Sequence, residues 1–232
     1  MLVYGKNSCV EILKNNKKIK RLYLDRNFKD KNIISLIENL KITPYFYTKD
    51  ELDEFVNANH QGIIVDVGEY EYSDLDDLIK DNGFIVMLDH LEDTHNFGAI
   101  IRTCEAAGVD GIIIPKDRSV SVNSTVMKTS SGAAINTKIC MVTNLNQTIK
   151  YLKDKGYWVV ATDMDGDIYS NVDYKDSVCI IIGNEGNGIS ELVRKSSDFV
   201  VSIPMKGKVN SLNASVAAGI LIYEVVRQRS IK

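Results

Sequence analysis

From residue 84 onward the chain alternates short apolar runs with helical periodicities, and this alternation narrows the fold more than any other feature. FIVMLD (84–89), GIIIP (111–115), TKICMV (137–142), YWVVATD (157–163), CIIIG (179–183) and FVVSIP (199–204) read as strands. Between them NFGAIIRTCEAAG (96–108), NSTVMKTSSGA (123–133), NLNQTIKYLKDK (144–155) and ISELVRKS (189–196) read as helices, and a last helix is expected from about residue 210 to 229. Strands separated by helices argue for an α/β fold with a mostly parallel sheet covered on both faces.

The first part alternates on a smaller scale. NSCVEILKN, KNIISLIENL and KDELDEFVN carry helical spacing, while IKRLYLD, PYFY and GIIVDV read as strands. They make a compact α/β unit of about 70 residues, followed by EYEYSDLDDLIKDNG, an acidic stretch with room for one short helix. The expected organisation is a first domain over 1–70, an acidic linker over 71–81 and a second domain over 82–232.

Charge follows the same division. The formal net charge of −3 conceals 11 Lys+Arg against 4 Asp+Glu in residues 1–49, 1 against 11 in residues 50–81, and 16 against 16 thereafter. Lys14, Lys17, Lys18, Lys20, Arg21, Arg26, Lys29 and Lys31 lie close in sequence, a footprint suited either to phosphates or to a solvated face. Cys9, Cys104, Cys140 and Cys179 form no CxxC pair, and His60, His90 and His95 have no ligand spacing, so no metal is expected. No apolar run approaches the ~20 residues that span a bilayer, and a cytoplasmic location without membrane contact is expected.

Two strand-exit loops near the end carry the chemistry. GNEGNG (183–188) follows CIII, and IPMKGKVNSLNASVAAGI (203–220) follows FVVS. Such loops are where parallel α/β sheets hold small molecules. The glycine order is neither a dinucleotide fingerprint nor a P-loop. Glu185 could be a helix-end charge or a chemical group. Asn210 or Ser211 could cap the last helix. Upstream, Asn96 could cap the helix that begins there, and Arg102 lies off that helix's apolar stripe of Phe97, Ile100, Ile101, Cys104 and Ala107. A hydrolase reading of Ser211 lacks an obvious histidine base.

Taken together, HNFGAIIRTCEAAG, IIIGNEGNGIS and IPMKGKVNSLNASVAAGI resemble the three ordered motifs of the SpoU (TrmH-like) RNA ribose 2′-O-methyltransferases of the SPOUT class. YGKNSCVEIL (4–13) is similar to the start of the substrate-binding domain in that family's RlmB-like branch, so the resemblance covers essentially the whole chain. It implies a parallel sheet with a C-terminal trefoil knot, preceded by a small α/β ribosomal-protein-like domain that binds RNA. It also implies S-adenosyl-L-methionine as cofactor, and a homodimer packed partly through the last helix, where Ala214, Ala217 and Ala218 form a small-residue face.

By position, the resemblance implies that Gly183, Ile203 and Leu212 hold the cofactor through backbone groups and apolar contact, with Met205 as a further candidate. Arg102 would be the base or a clamp on the substrate phosphate, and Asn96, Glu185, Ser211 and Asn213 would orient it and the ribose. The implied substrate is rRNA, in particular a guanosine in the peptidyl-transferase region of 23S rRNA. A tRNA ribose or a resistance-type rRNA site is the alternative within the class. A non-catalytic RNA-binding ribosome-assembly protein is the alternative outside it, opposed by the presence of all five polar residues.

Overall fold

The computed structural model describes residues 1–15 and 19–230, so Lys17 and Lys18 of the basic cluster lie outside the described residues. The chain forms two compact units, Met1–Glu71 with Val122–Asn136, and Tyr72–Ser121 with Thr137–Lys232.

The first unit is a four-stranded sheet in the order β1-β4-β2-β3, with β1 Leu2–Tyr4, β2 Arg21–Asp25, β3 Tyr45–Tyr47 and β4 Ile63–Asp66. β4 runs antiparallel to both β1 and β2, and β3 is parallel to β2. β1 has no counterpart in the sequence reading, because three residues are too short for a period-2 signal; pairing with β4 fixes it. Helix α1 spans Lys6–Lys14, α2 Lys31–Asn39 and α3 Lys49–Phe55. Local chemistry sets their starts: Asp30 accepts from Ile33 N at the head of α2, and Thr48 with Glu51 forms a reciprocal capping box on α3.

Segment 122–136, which the sequence places within the second domain, groups with the first unit instead. Val126, Met127, Ala133 and Ala134 are buried, Ser8 Oγ donates to Met127 O at 3.1 Å, and Tyr70 Oη donates to Ala134 O at 3.2 Å.

The second unit carries six parallel strands in the order β10-β8-β9-β5-β6-β7: β5 Phe84–Asp89, β6 Gly111–Pro115, β7 Ile139–Val142, β8 Trp158–Ile168, β9 Val178–Gly183 and β10 Phe199–Ser202. Every residue of β5 and β6 is buried, which is why these strands read as unbroken apolar runs. The acidic stretch does not hang free: Ser73 bridges Cys140, and Leu78 of a short 3₁₀ turn is fully buried where Gly111 leaves space, since a Cβ there would lie 2.2 Å from Leu78 Cγ.

Helix α4 is Thr94–Ala107, α5 Ser124–Thr129, α6 Leu145–Asp154, α7 Glu191–Ser196 and α8 Ala214–Ser230. α8 packs on α4 and β9. Its inward stripe is Ala218, Leu221, Ile222 and Val225, with Ala214 at the head. The small residues Ala214 and Ala218 therefore serve packing inside the chain, and the outward face of α8 carries half-exposed Val216 and Tyr223.

Arg229, in the last turn of α8, ties that helix to the opposite end of the sheet. Its guanidinium donates to Asn82 O (2.8 Å), Gly83 O (3.1 Å), Tyr174 O (3.0 Å) and Asp176 O (2.6 Å), and lies 5.5 Å from the Phe84 ring centroid. Hydrogen bonds to a charged group are worth about 1.5–3 kcal/mol, and truncation orphans several carbonyls. Arg229→Ala is accordingly expected to lower Tm by roughly 4–10 °C in a thermal melt; an unchanged Tm would show that the carbonyls are equally well served by water.

Candidate active site

Because the strands are parallel, their carboxyl ends share one edge, where Asp89 of β5 stands opposite Gly183 of β9. Asp89 is 1% exposed, and its two oxygens lace this edge together: one accepts from Ser190 N at 2.7 Å, the other meets His90 Nδ1 at 2.5 Å. His90 itself is held at φ 56°. Asn184 completes the lacing, donating from Nδ2 to His90 O (2.8 Å) and accepting at Oδ1 from Gly186 N (2.8 Å). Reciprocal backbone bonds between Asn184 and Gly188, 3.0 and 2.9 Å, close the loop. Sequence reasoning singled out neither Asn184 nor His90. The available signal was Asp89, an acid ending an otherwise apolar strand.

The lacing presents Glu185 at the loop tip toward α4. Asp93, not Asn96, caps α4, accepting from Asn96 N at 2.7 Å. The Asn96 carboxamide is thereby left for other work: its Nδ2 donates to Glu185 Oε1 at 2.6 Å, and its Oδ1 accepts from Asn213 Nδ2 at 2.9 Å. Asn213 Oδ1 in turn accepts from Ser215 N (3.0 Å) and Ser215 Oγ (2.6 Å), so Asn213, rather than Asn210 or Ser211, caps α8. A carboxylate can only accept, which fixes the orientation of both amides. The result is one polarised relay from the amino end of α8 through Asn213 and Asn96 to Glu185. Donors are aligned along it, and each bond strengthens the next.

Beside the relay lies a cavity of about 740 Å³. Gly183, Glu185, Ile203, Met205, Ser211 and Leu212 all line it, together with Ala217 and Leu221 from α8. Gly183 is obligatory by geometry: a Cβ there would lie 2.4 Å from the Gly188 carbonyl carbon and 2.7 Å from Ile189 N. Bare backbone at Gly183 and an aliphatic wall suit a small ligand held by main-chain groups and apolar contact. At one side Asp163, which also lines the cavity, is held with Asp165 on the Arg194 guanidinium. That pairing holds the Asp165 carboxyl below its ordinary range.

The structure thus joins Asn96, Glu185 and Asn213 by direct hydrogen bonds and gathers Gly183, Ile203, Met205, Ser211 and Leu212 around one cavity. Arg102 stands on the exposed side of α4, ~9 Å along the axis from Asn96 at 1.5 Å per residue. The cysteines take no part. Burial pushes Cys9, Cys104 and Cys179 far above their ordinary value and Cys140 up to about 11, so all four stay protonated. Among the described residues no group of His, Cys, Asp and Glu is placed to hold a metal ion, and no helix is long and apolar enough to cross a membrane.

Comparison with known proteins adds names to this geometry. Residues 83–223 match the SpoU rRNA Methylase family, and residues 2–73 match the RNA 2′-O ribose methyltransferase substrate binding family. A Bacillus subtilis (strain 168) chain whose name places it in the TrmH family of tRNA/rRNA methyltransferases is 42% identical over 98% of this chain and 96% of its own. A Staphylococcus haemolyticus chain of like name is 40% identical over 99% and 96%. Among solved structures, the SpoU methyltransferase AviRb of Streptomyces viridochromogenes, in complex with AdoMet, superposes with a TM-score of 0.88 at 26% identity, covering 99% of this chain and 90% of that one. The AdoMet-bound rRNA methyltransferase of Sinorhizobium meliloti gives 0.84 at 26%, covering 97% and 86%.

Proposed function

Because the chain belongs to the SpoU rRNA Methylase family, an S-adenosyl-L-methionine-dependent class of RNA methyltransferases, we propose a specific reaction for it: transfer of a methyl group to the ribose 2′-hydroxyl of a guanosine in the peptidyl-transferase region of 23S rRNA. The observation that carries the reading is the Asn213–Asn96–Glu185 relay beside the Gly183 cavity. It joins all three sequence motifs at one point.

Bound in the cavity, S-adenosyl-L-methionine supplies a methyl group activated on a sulfonium. Gly183, Ile203 and Leu212, with Met205, would hold the cofactor through main-chain groups and apolar contact. The chain's task is then to align a weakly nucleophilic hydroxyl and to let its proton depart. Arg102 clamps the phosphate beside the target ribose. Glu185, fixed by the relay, and Ser211 would orient the ribose hydroxyl, whose proton would pass to solvent. The same reading threads the C-terminal segment into a trefoil knot and pairs two copies through the outward face of α8, at Val216 and Tyr223.

Two results test this. Labelled cofactor offered to deproteinised rRNA and tRNA from a strain lacking the protein should mark a single 2′-O-methyl guanosine in 23S rRNA; label confined to tRNA would move the substrate to the tRNA branch. Asn213→Asp preserves the α8 cap but sets an acceptor against Asn96 Oδ1. Single-turnover methyl transfer should fall about tenfold or more, the cost of an interaction of about 1.4 kcal/mol, with Tm little changed. A wild-type rate would remove the relay from the mechanism.

A further inference from the structure

The first unit contains a second cavity, of about 840 Å³, that the methyl-transfer reading does not use. It opens where the loops after β2 and before β4 meet the heads of α1 and α3, and its walls are unlike those of the cofactor cavity. Four carboxamides, Asn27, Asn57, Asn59 and Gln61, line it, with Phe28 and Ala58 its only apolar side chains among the described residues. Its carboxylates are committed elsewhere: Asp53 to His60 Nε2 at 3.0 Å, and Asp25 to Asn27 N at 2.7 Å. Lys6, also lining, is paired with Asp30 at 2.9 Å, which leaves Lys29 and Lys49 as exposed cations at the rim.

The cavity is built, not a gap between loops. His60, 3% exposed, accepts from Gly62 N at Nδ1 (3.0 Å), so its Nε2 carries the proton given to Asp53. This pins the 57–62 loop with Gln61 at φ 54° and Gly62 at φ 80°. A Cβ on Gly62 would lie 3.0 Å from Phe28 Cδ2, so the ring packs close against bare backbone. Gln61 Oε1 accepts from Lys6 N at 2.9 Å, which fixes which way its carboxamide faces.

Spent carboxylates argue against a cation, and sparse apolar lining argues against a hydrophobic ligand. Carboxamides offer donors and acceptors together, as the edges of nucleobases require, and an aromatic ring with rim lysines suits a stacked base flanked by phosphates. Resting on the RNA reading above, we propose that this cavity captures an unpaired nucleotide of the substrate RNA: the base lies against Phe28 and is read by Asn27, Asn57 and Asn59, and the adjoining phosphates meet Lys29 and Lys49.

The test uses the full chain and fluorescence anisotropy with nine-nucleotide single-stranded RNAs, one base-bearing and one abasic at its three central positions. Wild-type protein should bind the base-bearing strand about tenfold more tightly, the scale of one stacked base. N27A/N57A/N59A, three exposed positions, should reduce that preference to within about twofold while S-adenosyl-L-methionine binding stays at wild-type strength. K29Q/K49Q should instead keep the preference and flatten the log-log salt dependence by about 1.4, at ~0.7 per phosphate contact. Equal wild-type affinity for the two strands, or a preference that survives in the triple variant, would overturn the proposal. Base preference without methyl transfer to any RNA would leave the cavity standing and sink the proposed reaction; methyl transfer without base preference would do the reverse.

Discussion

Gly183→Ala is expected to weaken S-adenosyl-L-methionine binding at least a hundredfold, measured by calorimetry. The added methyl would sit 2.4 Å from the Gly188 carbonyl carbon, a backbone atom that cannot rotate away. The 184–188 loop would have to move by about an ångström to reach ordinary van der Waals separation. That loop is held by the Asn184–Gly188 pair and by Asn184 on His90 O, so displacement breaks several bonds and carries Glu185 away from Asn96. Gly186→Ala is the matched control: its Cβ would meet only Asn184 Oδ1, at 3.4 Å. It should bind within about threefold of wild type, since surface changes away from special features cost within ±0.5 kcal/mol. Wild-type affinity in Gly183→Ala would mean that the cofactor is held elsewhere.

Arg102→Ala should lower the single-turnover rate by about three orders of magnitude with cofactor affinity unchanged. On the clamp reading, a charge-assisted, two-point hold on a phosphate next to the reacting ribose would set the approach of the hydroxyl, and misplacement by an ångström alone costs about a hundredfold. Arg102→Lys keeps the charge and loses the planar fork, and should recover less than a tenth of the rate. A clamp predicts that RNA affinity falls with the rate and that the pH-rate profile keeps its shape. A base predicts a changed profile at unchanged affinity. Near-full rate in Arg102→Lys would exclude both roles.

Much of this architecture can be read from residues. Unbroken apolar runs such as FIVMLD and GIIIP fit buried parallel strands because they are short, rich in β-branched residues and apolar on both alternating faces. The strand-exit position of GNEGNG and of the segment after Ser202 follows from the same runs. Three things escape that logic. β1 exists only through pairing with β4, a partner some 60 residues away. Taken alone Asn96 reads as a possible helix cap, and its direct bond to Asn213 emerges only when Asp93 is seen to occupy the α4 cap and the two carboxamides meet across the fold. Segment 122–136 carries helical spacing in line with its neighbours, and its allegiance to the first unit depends on Ser8 and Tyr70, which lie far off in the chain.

That last feature bears on how such an enzyme can be recombined. The front unit is not a terminal bead on a string, because Val122–Asn136 returns to it from the middle of the second unit. A gene that lacks codons 1–71 would lose the strands yet retain their partner segment, with Val126, Met127, Ala133 and Ala134 stripped of cover. Exchanging the first unit for that of a relative therefore calls for two exchanged segments, not one splice point.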